Sequence, residues 1–205
     1  MTGFARKTSP LAILALVTVA VASIGGCQPR SAWHATDVSG AVPALRLSMT
    51  RTRDGKVVSA ADYRGSVTML YFGYTYCPDV CPLTLANVGR VLKQLGSAAN
   101  RVSVLFVTVD PDRDTPALLN QYAAAFGPNV DALRGDPDQL ASLARRYRVA
   151  YSVTPHGSGG SYEVTHSSGI YVFDRDGNAR LLVSSLSTGK PDIGGTASDL
   201  RVLLR

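Results

Sequence analysis

The chain has 205 residues, 45% of them hydrophobic and 18% charged, with a formal net charge of +6. Its length is enough for one domain with a sizeable core, and no internal repeat is visible. The basic excess is spread over Arg51, Arg53, Arg90, Arg101, Arg145, Arg146 and Arg148; this scatter excludes a nucleic-acid module and reads first as a solvated surface, with an acidic partner or anionic lipid as the lesser reading.

Residues 1–26 read as an export signal. Arg6 and Lys7 form a short basic start, and residues 11–21 are an uncharged apolar core about half the length of a membrane span. The stretch ends in Ile24-Gly25-Gly26-Cys27, which resembles a bacterial lipoprotein processing box, with Cys27 as the acylated first residue of the mature chain. Two or more acyl chains anchor stably where one is marginal. The expected placement is therefore export, with a lipid anchor in a bacterial membrane and the domain on the extracytoplasmic side. Residues 27–40 have linker composition and are predicted to be a tether, which leaves 41–205 as the domain.

Within that domain the predicted elements begin with a hairpin. Leu45, Leu47 and Met49 alternate like a strand, and Asp54-Gly55 marks the turn before Lys56-Val57-Val58. Residues 67–72 read as a buried strand. Residues 82–95 read as a helix with Leu85, Val88, Leu92 and Leu95 on one face and Gly96 as its stop. A second buried strand follows at 102–109. Thr115-Pro116 opens the next helix, with Leu118, Leu119, Tyr122 and Phe126 as its apolar stripe. Another helix is predicted over 136–147, a strand over 169–173, a turn at Asp176-Gly177, a returning strand over 180–183, and a last helix over 197–204. The alternation predicts an α/β fold: a mixed central sheet flanked by helices, with an N-terminal hairpin.

Setting Cys27 aside leaves one cysteine pair, Cys77 and Cys81, separated by three residues between a strand and a helix. Outside the cytosol such a pair can persist as a disulfide, but so short a loop adds little stability, which favours function over scaffolding. With Pro82 as the first helical residue and Cys81 held at the cap, both thiols would lie near the positive helix end. Lowered thiol pKa values are then expected. The chemistry indicated is soft-metal binding, thiol redox, or both. Histidine is scarce: His34, His156 and His166. Two thiolates and an imidazole suit Cu(I) and could hold Zn(II) with a fourth ligand. By spacing alone His166 is a weak candidate, and His34 and His156, the latter in a glycine-rich loop, are weaker. Asp79, between the thiols, reads as a turn former or helix-start acid. Asp110 reads as a turn residue, or alternatively as an acid behind the site or one that docks a partner.

The run Tyr71-Phe72-Gly73-Tyr74-Thr75-Tyr76-Cys77-Pro78-Asp79-Val80-Cys81-Pro82 closely resembles the metal-site motif of the Sco/SenC family. Val107-Thr108-Val109-Asp110-Pro111-Asp112-Arg113-Asp114-Thr115-Pro116 resembles that family's second signature, and Val164-Thr165-His166-Ser167 its histidine loop. The resemblance implies a thioredoxin-like fold, with His166 where dithiol oxidoreductases usually carry a cis-proline. It implies one copper ion, Cu(I) or Cu(II), held by Cys77, Cys81 and His166. Many relatives carry an acidic residue where this chain has Thr165. An acid there could orient the imidazole, and Glu163 is two positions away.

The same resemblance implies a copper chaperone for the binuclear copper centre of cytochrome c oxidase rather than an enzyme. The oxidase's copper-centre subunit is the expected partner, with a separate copper donor or thiol reductant besides. A thiol–disulfide oxidoreductase acting on that subunit's cysteines is the alternative, using Cys77 and Cys81 without requiring His166. A redox or copper sensor is the third reading.

Overall fold

β4 (Val67–Gly73) is buried at every position and β5 (Val102–Thr108) at all but one. Successive strand side chains point to opposite faces, so continuous burial means that both faces of the sheet are covered. The two strands run parallel, from Val67↔Val102 to Gly73↔Thr108. Each fully buried Leu or Phe among them is worth about 1.5–3 kcal/mol against exposure. The coordinates are a computed structural model that describes residues 2–3, 33–156 and 161–205. Apart from residues 2–3, the export signal lies outside the described residues, as does Cys27.

Around the central pair stand β1 (Thr36–Asp37), β2 (Ser48–Arg51), β3 (Val57–Ser59), β6 (Val130–Arg134), β9 (Ile170–Phe173) and β10 (Ala179–Val183). They form one eight-stranded sheet in the order β1-β10-β9-β4-β5-β6-β2-β3. β4, β5 and β6 are parallel, and the other neighbours pair antiparallel. A separate two-stranded ribbon is made of β7 (Tyr151–His156) and β8 (Ser161–His166). The helices are α1 (Val80–Leu95), α2 (Pro116–Ala124), α3 (Pro137–Arg146) and α4 (Ile193–Leu203). Among the described residues no helix is long and apolar enough to cross a membrane.

The helix ends follow local chemistry. α1 buries Leu85, Val88, Val91, Leu92 and Leu95, a helical stripe, and stops at Gly96, whose φ of +60° suits glycine. Thr115 caps α2, accepting from the Leu118 amide (3.3 Å). Asp136 and Gln139 form a reciprocal capping box at α3.

Four expectations need correction. The first strand of the predicted hairpin lies at Ser48–Arg51, later than the alternation of Leu45 and Leu47 suggests. α1 begins at Val80 and not at Pro82, so Cys81 lies inside the first turn. Pro82 is tolerated there because the first helical amides have no internal partner to lose. β6 was absent from the sequence reading because Asp131 interrupts its apolar run. Asp131 is 6% exposed and is matched by Arg53 (2.8 Å) and by the Tyr63 hydroxyl (3.2 Å). Thr154, Pro155 and His156 belong to a strand and not to a loop, since Tyr151–His156 pairs with Ser161–His166. A two-stranded ribbon is all edge, where Pro155 costs little.

Residues 33–40 also differ from a free tether. Thr36 and Asp37 pair with Leu182 and Leu181. The His34 and Ala35 amides donate to the Asp199 carboxylate (3.0 and 2.8 Å), which is 2% exposed on α4. Two paired residues are too few to show alternation in a sequence.

Candidate metal centre

The site forms where β4 ends and α1 begins, at the carboxyl ends of the parallel strands, the usual place for chemistry in such sheets. After Gly73 the chain turns, with the Cys77 amide donating to the Tyr74 carbonyl (3.3 Å). The Cys81 amide donates to the Cys77 sulfur (3.3 Å), which holds the two thiol residues together across the helix start. Cys81 is fully buried and Cys77 half-buried, and both are free thiols.

His166 arrives from the end of β8. Its Nε2 is 3.2 Å from the Cys81 sulfur, and its Nδ1 is 2.9 Å from the Ser167 carbonyl. A carbonyl only accepts, so Nδ1 carries the proton and the Nε2 lone pair faces the thiols. The two sulfurs and one imidazole nitrogen lie within 4.8 Å of one another, the one such metal-competent group among the described residues. A half-open cavity of about 280 Å³ lies over Cys77, His166 and Tyr74. The Ser167 carbonyl thus orients the ring, the role for which Thr165 lacks an acid. The Thr165 hydroxyl instead meets that of Ser152 on β7 (2.8 Å).

The electrostatics reverse one expectation. Burial pushes the Cys81 thiol up to about 12, aided by the Cys77 sulfur beside it. A helix N-terminus is worth only about 0.3–1 kcal/mol, whereas full burial moves a pKa by up to several units. Burial also holds His166 below the ordinary imidazole value. In the metal-free site the Cys81 thiol is therefore protonated, and a cation entering the site must displace that proton.

A polar frame holds the ligands. Asp114 is fully buried and accepts from the Thr75 amide (3.1 Å) and from the Thr75 and Thr108 hydroxyls (2.5 Å each). It therefore ties the turn before Cys77 to the end of β5. Asp110, 2% exposed, accepts from Arg113 (2.5 Å) and from the Tyr162 hydroxyl (2.6 Å) on β8. The Arg113 guanidinium lies 4.0 Å from the Tyr162 ring centroid, and the Tyr74 hydroxyl donates to the Val164 carbonyl (2.9 Å). These bonds fasten the ribbon that carries His166. Asp110 thus braces the ribbon and stands outside the ligand group. Asp79 caps α1 by position without a side-chain bond. His34 lies elsewhere, its Nδ1 3.7 Å from Asp192.

The sequence reading missed Asp114 and Tyr74. One signal was available: Asp110 and Asp114 are four apart and Asp112 lies between them, so a helical turn buries the outer two and exposes the middle one. The Asp114 amide does bond the Asp110 carbonyl (3.0 Å). Asp114→Ala strands three donors and should cost about 3 kcal/mol, read as a lower urea midpoint. Burial also raises the Asp114 pKa. Folding therefore favours its protonated form, and that contribution, full below the ordinary carboxylate value, is lost as pH rises through the folded-state value. Asp114→Asn, which cannot ionise, should flatten the dependence of the urea midpoint on pH over that window.

Comparison with known proteins places this geometry. A model of the SCO1/SenC family matches residues 49–196. The mitochondrial SCO2 homologue of Bos taurus is 42% identical over 125 residues, covering 60% of this chain and 47% of its own. The chain thus spans about half the length of the mitochondrial SCO2 homologues it matches. Among solved structures, copper-bound ScoI of Bradyrhizobium japonicum is 35% identical with a TM-score of 0.69, covering 80% of this chain and 100% of its own. Copper-bound ScoI of Arabidopsis thaliana is 30% identical with a TM-score of 0.69, covering 78% and 99%.

Proposed function

The chain belongs to the SCO1/SenC family, and from that premise we propose that it is a copper chaperone, tethered by lipid on Cys27 to the extracytoplasmic face of a bacterial membrane, that delivers one copper ion to the copper-centre subunit of a cytochrome c oxidase. The observation that carries this reading is the meeting of two sulfurs and one imidazole nitrogen within 4.8 Å. Thiolates and imidazole are the donors that suit Cu(I), with the nitrogen also serving Cu(II). Two relatives of 30% identity or more have been solved with copper bound, which supports copper as the cargo.

The pair also supplies a gate. An oxidising partner that removes two electrons and two protons from Cys77 and Cys81 would leave a disulfide, and a disulfide cannot hold the ion. Thiol exchange with an oxidase subunit is the second reading. It is favoured by one observation: Cys77 is the more exposed thiol and Cys81 lies buried behind it, the usual order of attacking and resolving sulfurs.

Elemental analysis of the reduced protein should give one copper per chain, and Cys77→Ser should retain none. No copper on the reduced wild type, or equal retention by the variant, contradicts the reading. Cys27→Ala should leave the membrane fraction with its copper content unchanged. A variant that stays firmly in the membrane would argue for an uncleaved leader as the anchor.

A further inference from the structure

Tyr71 is fully buried on β4. Its side chain is on the same strand face as Gly73, two residues on, where a Cβ would lie 3.0 Å from the Cys81 sulfur. Its ring meets His166 nearly edge-on, with centroids 6.1 Å apart and planes at 70°. Tyr71 thus lies against the metal centre without lining its cavity. Its hydroxyl is buried and completes no hydrogen bond of good geometry, although the Cys81 sulfur and the Thr84 hydroxyl lie beside it. Such a donor is costly and calls for a reason. Burial first, and the neighbouring Cys81 sulfur second, push the phenol above its ordinary value. The Thr84 hydroxyl, which donates to the Val80 carbonyl (2.7 Å), is the other polar group beside the phenol and keeps lone pairs that can accept.

Resting on the copper reading, we infer that Tyr71 is a positioning residue whose hydroxyl donates a hydrogen bond to the Cys81 sulfur once that sulfur is a metal-bound thiolate. A neutral thiol is a weak acceptor, so contact between the hydroxyl and the sulfur is worth little in the metal-free protein. A thiolate accepts strongly, and a bond to an ionised acceptor is about twice as strong as one between neutral groups. Hydrogen bonds to a coordinating sulfur tune the metal's potential and fix the ligand's orientation. Cys81 is wholly buried, so solvent does not supply such a bond. Tyr71 supplies it instead.

The test is Tyr71→Phe in the purified, reduced protein, with copper as the probe. The variant keeps the ring, so the aromatic contacts survive. Three results are expected. The metal-free variant melts at the wild-type temperature or above, because a buried hydroxyl without a well-formed hydrogen bond has gone. Copper raises its melting temperature by less than it raises that of wild type, with affinity down about 10-fold. The sulfur-to-Cu(II) charge-transfer band moves to longer wavelength, because a sulfur without a hydrogen bond gives up its electron more easily. A metal-free variant that melts several degrees lower, yet gains as much from copper and keeps the band in place, overturns the inference, leaving Tyr71 as packing or as the partner of a buried water. A wild type that binds no copper overturns the chaperone reading along with it, so the two failures are distinguishable.

Discussion

His166→Ala is expected to weaken copper binding by more than about 100-fold, the upper end of what even outer-shell partners contribute, with the larger loss for Cu(II), which prefers nitrogen donors. The geometry makes this a clean lesion. The imidazole reaches the site from β8, whereas both thiols sit at the start of α1. The Cys81 amide holds the Cys77 sulfur without help from the histidine. The two cysteines should therefore still form a disulfide, counted by thiol titration before and after oxidation. Oxidase assembly in cells should fall in step with copper and not with thiol exchange. A variant that binds both copper states like wild type yet fails in cells would rule out ligation by His166. One that assembles oxidase normally without copper would replace the chaperone with the thiol reductase.

The second large effect is expected at Gly73→Ala. A Cβ there would lie 2.5 Å from Phe106 Cε2 and 3.0 Å from the Cys81 sulfur. Phe106 is wholly buried, and its ring packs against Tyr71 and Tyr122, so it has nowhere to move. The φ of Gly73 is not positive, so the penalty is overpacking, on the order of 1–3 kcal/mol or more. Part of the shift falls on Cys81, pushing its sulfur out of register with His166. Urea unfolding should show a lower midpoint, and dialysis should show copper loss. Gly89→Ala is the control. It lies within α1 with nothing within 4 Å of an added Cβ, and should stabilise by about 0.5–1 kcal/mol.

The parts legible in the sequence were those with a local cause. The apolar runs of β4 and β5, the turn at Asp54-Gly55, the caps at Thr115 and Asp136, and the stop at Gly96 each carry their signal within a few residues. The thiol pair was legible for the same reason. The meeting of His166 with Cys81, 85 positions apart, was legible only through the family resemblance and not from spacing: the ribbon brings it there, and Pro155 with the following glycines hid the ribbon. β6 was hidden by Asp131, whose burial makes sense only beside Arg53, Arg51 and Tyr63 from distant segments. The acidity of Cys81 was misjudged because a helix start is a local feature and burial is a tertiary one. Asp114 and Tyr71 act through neighbours that only the folded sheet supplies.

The central claim is that Cys77, Cys81 and His166 bind one copper together. X-ray absorption at the copper edge on the reduced, copper-loaded protein tests it most directly, with His166→Ala measured alongside. Two sulfur neighbours and one imidazole nitrogen are expected in the wild type, and the nitrogen should be missing from the variant. A shell of oxygen or nitrogen alone, or an imidazole signal that survives in His166→Ala, would contradict it.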